Sequence, residues 1–237
     1  MPADKVGRQA LAACALVATW WTGPSQRRLF SSVEISYDNY EKWMNGVVLS
    51  GSRTHLLEYV RSLRLIRVWD TGAKYGMQDL PQDSGGYLSA LRDLHSLTLW
   101  CIKVEPLSEG DLRTRFSAFR ETLTFLSLES LIISFSVFVT LVDYFPNITT
   151  LELRCLRVVP DEGPVQPLSR PLRGKVFVCV RLVLPEFFPE FLDRFAKLNL
   201  EYDSLVISGM VTNCLESALR ISAGIVIFLK LPEFGRE

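Results

Sequence analysis

The stretches LHSLTL (residues 94–99), LTFLSL (residues 123–128) and ITTLEL (residues 148–153) share one pattern. An apolar residue is followed by two residues of any kind, a second apolar residue, one residue of any kind, and a third apolar residue. The pattern recurs, in variant forms, at Phe30-Val33-Ile35, Val60-Leu63-Leu65, Leu172-Val176-Val178, Tyr202-Leu205-Ile207 and Val226-Leu229-Leu231. The middle apolar residues of successive copies lie 24 to 34 residues apart. The chain is therefore built from repeats.

The segments between the copies have helical spacing, because apolar residues recur there every three or four positions, as in Leu88-Leu91-Leu94 and Val139-Val142-Phe145. A unit of helix, turn and strand makes successive strands parallel neighbours. We predict an α/β fold, an irregular leucine-rich-repeat solenoid in which short parallel strands alternate with helices. The asparagine typical of such repeats is replaced by apolar residues, namely Val68, Ile102, Leu131, Leu156 and Met210.

Side chains alternate along a strand, so the residue between the last two apolar positions faces away from the core. In chain order these residues are Glu34, Arg64, Thr98, Ser127, Glu152, Phe177, Val206 and Lys230. Two residues further on lie Ser36, Ile66, Trp100, Glu129, Arg154, Cys179, Ser208 and Pro232. Arg and Trp dominate binding hot spots. We predict a target-binding surface of Arg64, Trp100, Glu129, Glu152 and Arg154, with a solvated face of no particular use as the alternative.

The composition argues against several classes of partner. Lys plus Arg and Asp plus Glu both number 26, whereas a nucleic-acid surface needs clustered positive charge. The five cysteines are scattered and only two histidines are present, so we expect no metal site and no cofactor. We read the apolar stretch 126–145 as a buried strand followed by a helix, and a membrane-associated protein is the weakest alternative. A reducing compartment, cytoplasm or nucleus, is expected.

No catalytic motif is found. The sequence has no GxSxG, no phosphate-binding P-loop, no GxGxxG and no HExxH. A histidine-dependent triad would require His55 or His95, and both fit a structural or exposed position better. We therefore expect no catalytic residues, no small-molecule substrate and a protein that is not an enzyme.

The N-terminal segment LAACALVATWWTGPSQRRLFSSVEIS (residues 11–36) resembles the F-box-like proteins of mushroom-forming fungi. Matching positions are Cys14, Leu16, Val17, Trp21, Arg27, Leu29 and Phe30. The stretches PLRGKVFV and PEFLDRFAKLNLEY also resemble the repeat region of that family. The Leu-Pro helix that opens the family's F-box is missing from residues 1–8, and Ala18-Thr19 stands where the family has Cys-Arg. We therefore expect a partial helical F-box in residues 1–29, its helix ended by Gly23-Pro24-Ser25, and a repeat array in residues 30–237.

The resemblance implies a substrate receptor of a cullin-RING ubiquitin ligase of the SCF type. In such a receptor the F-box docks a Skp-type adaptor and the repeats hold a protein target. Leu11, Leu16, Val17 and Trp21 would serve adaptor binding, with local core packing as the alternative for each. The competing hypothesis is a leucine-rich-repeat interaction scaffold without a ligase link, whose F-box is vestigial.

Overall fold

The computed structural model describes residues 19–49, 54–66, 88–100, 113–114, 116–159, 176–184, 195, 201–209 and 226–230. Helices lie at Thr19–Phe30 (α1), Tyr37–Trp43 (α2) and Phe135–Tyr144 (α3), with a π-helical turn at Met44–Val48 and 3₁₀ turns at Thr54–Tyr59 and Ser117–Phe119. Strands lie at Ser32–Ser36 (β1), Ser62–Ile66 (β2), Ser96–Trp100 (β3), Phe125–Glu129 (β4), Ile132–Ser134 (β5), Thr150–Arg154 (β6), Arg157–Val159 (β7), Val176–Leu184 (β8), Glu201–Gly209 (β9) and Val226–Lys230 (β10).

The strands form a parallel sheet in chain order, β1-β2-β3-β4-β6-β8-β9-β10. The register follows the sequence pattern, because Leu97 pairs with Leu63 on one side and with Leu126 on the other. A mixed α/β fold with parallel strands is thereby confirmed. The apolar stretch 126–145 divides, as predicted, into strand and helix, namely β4, the short β5 and α3.

The first strands enter the sheet through a repeated hydrogen-bond arrangement. The carbonyl oxygens of Ser31, Arg61, His95 and Thr124 each accept from two consecutive backbone N–H groups at the start of the next strand, at 2.8 to 3.0 Å. A carbonyl has two lone pairs, so one oxygen can satisfy both donors. The units from β1 to β6 therefore stack with a constant geometry, although the segments between them differ in length.

One face of the sheet is covered by an apolar core. The inward leucines of β3 and β4 are fully buried, as are Phe116, Phe119 and Phe145 on the segments that cover them. The rings of Phe119 and Phe145 stack with centroids 6.1 Å apart. The predicted inward positions are thus confirmed as core from β1 to β6. Burial of this apolar surface is the main force that holds the layers together.

β5 and β7 form a second, two-stranded parallel sheet beside the main one. The turns that lead into it have the same geometry, because Ser130 and Cys155 both have φ of 51° and are followed by buried leucines. The Ser130 N–H donates to the carbonyl of Arg154 at 2.8 Å. Leu131 and Leu156 therefore fill the turn interiors where an asparagine was absent. Val68, Ile102 and Met210 lie outside the described residues.

The prediction that Gly23-Pro24-Ser25 ends the first helix is wrong, since α1 runs through these residues to Phe30. An internal proline removes one backbone hydrogen bond from a helix. Tertiary packing compensates here, because α1 packs on the 3₁₀ turn at Thr54–Tyr59 and places the Arg27 guanidinium carbon 5.7 Å from the centre of the Tyr59 ring. The segments predicted as helices around residues 56 and 117 are 3₁₀ turns, which suits their short lengths.

The predicted register of two later repeats is also wrong. β8 pairs with β6 so that Arg181, rather than Phe177, lies opposite Glu152, and Phe177 is fully buried. In β10, Phe228 rather than Lys230 takes the position opposite Val206. β8 is nine residues long, and in β10 apolar residues flank Phe228 on both sides. In each strand the spacing of apolar residues therefore fits more than one pairing register.

Candidate functional site

The face of the sheet opposite the core carries a group of polar and aromatic side chains from five neighbouring strands. We call this group the charged face. Its members are Glu34, Arg64, Trp100, Ser127, Glu129, Glu152 and Arg154. They lie in two adjacent rows of the register, with Glu34, Arg64, Ser127 and Glu152 in one and Trp100, Glu129 and Arg154 in the other.

Arg64 of β2 is held from several sides. Its guanidinium carbon lies 4.8 Å from the centre of the Trp100 ring, which is within the range of cation–π attraction. One terminal nitrogen donates to Glu129 Oε2 at 3.1 Å, and the other lies 3.8 Å from Glu34 Oε2. The arginine is therefore held over the tryptophan ring by contacts to two carboxylates.

Glu129 of β4 joins the two arginines of the face. Its Oε2 accepts from Arg64, while its Oε1 lies 3.8 Å from Arg154 Nε and accepts a hydrogen bond from the Ser127 hydroxyl at 3.3 Å. Only 17% of the Glu129 side chain is exposed, so these partners replace most of its water. A shielded carboxylate between two cations holds both of them in position.

Glu152 of β6 is the most deeply buried charge of the face, with 7% of its side chain exposed. Arg154 Nη2 donates to its Oε1 at 2.7 Å, and the buried Ser127 hydroxyl lies 3.4 Å from its Oε2. The hydrogen bond to Glu152 is the main cause that raises the pKa of Arg154, and desolvation opposes it in part. The guanidinium therefore remains charged in the folded protein and neutralises the buried carboxylate.

Each arginine combines a buried donor without an acceptor with a partly exposed side chain. Within the described part of the chain, Arg64 Nε and Arg154 Nε are buried and have no hydrogen-bond acceptor. About two-fifths of each arginine side chain is nevertheless exposed, at 40% for Arg64 and 44% for Arg154. Their ordering has already removed rotamer freedom, so a partner would lose little entropy on contacting them. This arrangement can recognise a polar protein surface.

All five predicted target-binding residues lie in this cluster. Arg64 and Glu129 touch although 65 residues separate them in the chain. Of the predicted adaptor-binding residues, Leu11, Leu16 and Val17 lie outside the described residues. Trp21 belongs to α1, and its side chain also lies outside the described part.

Three polar contributors were not singled out from the sequence. Glu34 and Ser127 belong to the predicted outward row, and their polar side chains could have identified them as part of the binding surface. Asn39 binds the turn after β1, since its Nδ2 donates to the carbonyl of Glu34 at 3.0 Å and its Oδ1 accepts from the Ser36 N–H at 2.8 Å. The side chain of Asp38, which could also have acted like the typical asparagine, lies outside the described part.

The histidines, the possible metal ligands and the helices of the described residues bear on other kinds of function. His55 and His95 are both exposed, and His95 Nδ1 lies 2.7 Å from the Asp93 carbonyl oxygen. In the described ranges, no three His, Cys, Asp or Glu side chains come together as a group that could hold a metal ion. None of the helices found there combines the length and apolar character that crossing a bilayer requires.

The chain was compared with models of known protein families, with characterised proteins and with solved structures. None of the three comparisons returned a match.

Proposed function

We propose that this protein is a protein-binding receptor whose charged face holds a protein target, and that its N-terminal segment docks a Skp-type adaptor of a cullin-RING ubiquitin ligase. The observation that carries the first half is the convergence of Arg64, Trp100 and Arg154 on one side of the sheet. The resemblance of residues 11–36 to F-box-like proteins carries the second half.

We further propose that the parallel sheet is part of an irregular leucine-rich solenoid. Chain-order pairing of every strand from β1 to β10 in the main sheet supports this, as do the repeated two-donor carbonyls at the strand starts. In such an array each unit contacts mainly its neighbours and the outward positions form a continuous surface. A surface of this kind suits a protein target better than a small molecule.

The charged face has the features expected of a binding hot spot. Trp100 is half-buried beneath Arg64, and residues of these two types dominate measured hot spots. Glu129 pairs with Arg64 and also lies close to Arg154, so one carboxylate links the two arginines. Hot-spot truncation typically costs 2 kcal/mol or more, which is about thirtyfold in affinity.

The two halves of the proposal can be tested together by co-purification from the source organism. The intact chain is compared with Trp100→Ala and with the double variant Leu16→Asp/Val17→Asp. We expect Trp100→Ala to lose the target about thirtyfold while it keeps the adaptor, and the double variant to lose the adaptor while it keeps the target. Arg92→Ala, an exposed arginine outside the charged face, should change neither.

Circular dichroism and thermal unfolding establish that each variant is folded. The ligase receptor would be supported by two results together. Trp100→Ala loses the target but keeps the adaptor, and the Leu16→Asp/Val17→Asp variant loses the adaptor. Target binding without any adaptor binding would favour the interaction scaffold. A target that binds equally well to Trp100→Ala and to the unmodified chain would contradict the assignment of the charged face.

A further inference from the structure

The charges of the face are not balanced among the described side chains, and the imbalance lies at one end. Arg64, Glu129, Arg154 and Glu152 alternate in sign, with closest nitrogen–oxygen distances of 3.1, 3.8 and 2.7 Å along the series. These four residues hold two positive and two negative charges and are neutral as a group. Glu34 is the surplus carboxylate.

Glu34 is also the most loosely held member of the charged face. Its side chain is 53% exposed, and in the described part of the chain the cation nearest to it is Arg64, at 3.8 Å. That distance is too long for a hydrogen bond. Arg64 makes a shorter contact to Glu129 through its other terminal nitrogen, so one positive charge is shared between two carboxylates.

Charges at the far end of the sheet do not neutralise Glu34. Arg181 occupies the register position beside Glu152 on β8, five strand steps away from β1. At roughly 4.8 Å per step the separation is about 24 Å, whereas the screening length at physiological ionic strength is about 8 Å. Among the described side chains, the surplus negative charge therefore stays at the β1 end.

We propose that the target presents a cationic side chain, lysine or arginine, to Glu34 when it covers the charged face. This inference rests on the proposed binding function of that face and specifies the chemistry of its partner. A target carboxylate would meet Glu34 and Glu129 on either side of Arg64, and like charges at that spacing oppose binding. A cation pairs with Glu34 and leaves the four balanced charges undisturbed.

The test uses a random peptide library displayed on phage and selected on the intact chain. Peptides that also bind Trp100→Ala are removed, so that only ligands of the charged face remain. We expect these ligands to be enriched in Lys and Arg relative to the unselected library. A carbodiimide should couple the carboxylate of Glu34 to a lysine of such a peptide, at a position that mass spectrometry identifies.

Affinity measurements on the best selected peptide test the role of Glu34 directly. We expect Glu34→Gln to weaken binding about two- to fivefold and Glu34→Lys to weaken it about tenfold or more, because the second change replaces attraction with repulsion. Glu41→Gln and Glu41→Lys, at an exposed position of α2 outside the charged face, are the matched controls and should have no effect.

The outcomes separate the two proposals. Peptides that depend on Trp100 but are rich in Asp and Glu, or indifferent to Glu34→Lys, would overturn the inference and leave the binding face intact. If no selected peptide depends on Trp100, both the inference and the proposed binding face are wrong. Basic peptides that lose affinity equally for the Glu34 and Glu41 variants would show that only the net charge of the protein matters, and this result would overturn the inference.

Discussion

Glu152 is a carboxylate that the protein buries almost completely, and its hydrogen bonds explain how the fold tolerates it. Burial of an unpaired charge would cost several kcal/mol. Here Arg154 donates from the same strand and Ser127 lies within hydrogen-bond distance on the neighbouring strand, so the charge has a cation beside it. The pair Glu152 and Arg154 lies two residues apart, which places both on one side of β6.

We predict that Arg154→Met destabilises the protein by about 1.5 to 3 kcal/mol, because it leaves the Glu152 carboxylate buried without its cation. Urea unfolding measures the change. The pKa of Arg154 is raised, so its stabilising charge is present below its ordinary pKa and is lost only in strongly alkaline solution. The penalty should therefore be the same at about pH 7 and about pH 9. Arg92→Met is the control, and an equal loss there would contradict the assignment.

Ser130 and Cys155 are held in the left-handed region of backbone conformation, with φ of 51° at both positions. A side chain costs about 1 to 2 kcal/mol there, and glycine avoids most of that strain at some cost in chain entropy. We predict that Ser130→Gly and Cys155→Gly each raise the free energy of unfolding by about 0.5 to 1 kcal/mol. Ser117→Gly, at an exposed position without positive φ, should not stabilise. Loss of stability in both test variants would refute the prediction.

In the turns that follow β4 and β6, a buried apolar side chain occupies the position where leucine-rich repeats have a hydrogen-bonding asparagine. Leu131 and Leu156 are buried in equivalent turns, and the Ser130 N–H bonds to the Arg154 carbonyl to join the two turns. One N–H of the turn after β4 is therefore satisfied by the backbone of the neighbouring unit rather than by an asparagine side chain.

We predict that Leu131→Asn destabilises the protein by about 2 to 4 kcal/mol, although it restores the residue typical of leucine-rich repeats. The change removes a fully buried apolar side chain and brings an amide into the apolar core. Leu131→Met, which conserves volume, should cost less than about 1.5 kcal/mol. Thermal unfolding compares the two variants, and an asparagine variant as stable as the original would show that the turn interior is polar.

At the scale of the whole molecule, stability should follow position in the sheet. The inward leucines of β3, β4 and β6 are fully buried, and each of these strands has a hydrogen-bonded neighbour on both sides. β1 has such a neighbour on one side within the described sheet, and its inward Val33 remains 8% exposed. Local opening is easiest where fewer contacts have to break.

We therefore predict that backbone amides of β3, β4 and β6 exchange with deuterium more slowly than those of β1. Mass spectrometry of peptides after timed exchange measures the difference. Leu97→Ala, which opens a cavity beneath β3, should accelerate exchange in its neighbours β2 and β4 more than in β1. Equal protection of β1 and β4 would show that the sheet opens as one unit.

Much of the core could be read directly from the chain. The alternation of apolar and other residues predicted the inward positions from β1 to β6, because side chains of a strand point to opposite faces in turn. The same alternation failed in β8, where apolar residues occupy nearly every position and the pattern fits more than one register. Arg181 was therefore missed as the neighbour of Glu152.

The sequence by itself determined the positions of β1, β2, β3, β4 and β6, their parallel order and the outward placement of Arg64, Trp100 and Glu129, because these follow from spacing and alternation along the chain. Only the tertiary structure decided which outward groups touch. The bond between Arg64 and Glu129 spans 65 residues and three strands, and it depends on the register of every strand between them. The continuation of α1 through Pro24 likewise could not be read from local propensity, which favours a break there, and in the structure this helix packs on the turn that carries Tyr59.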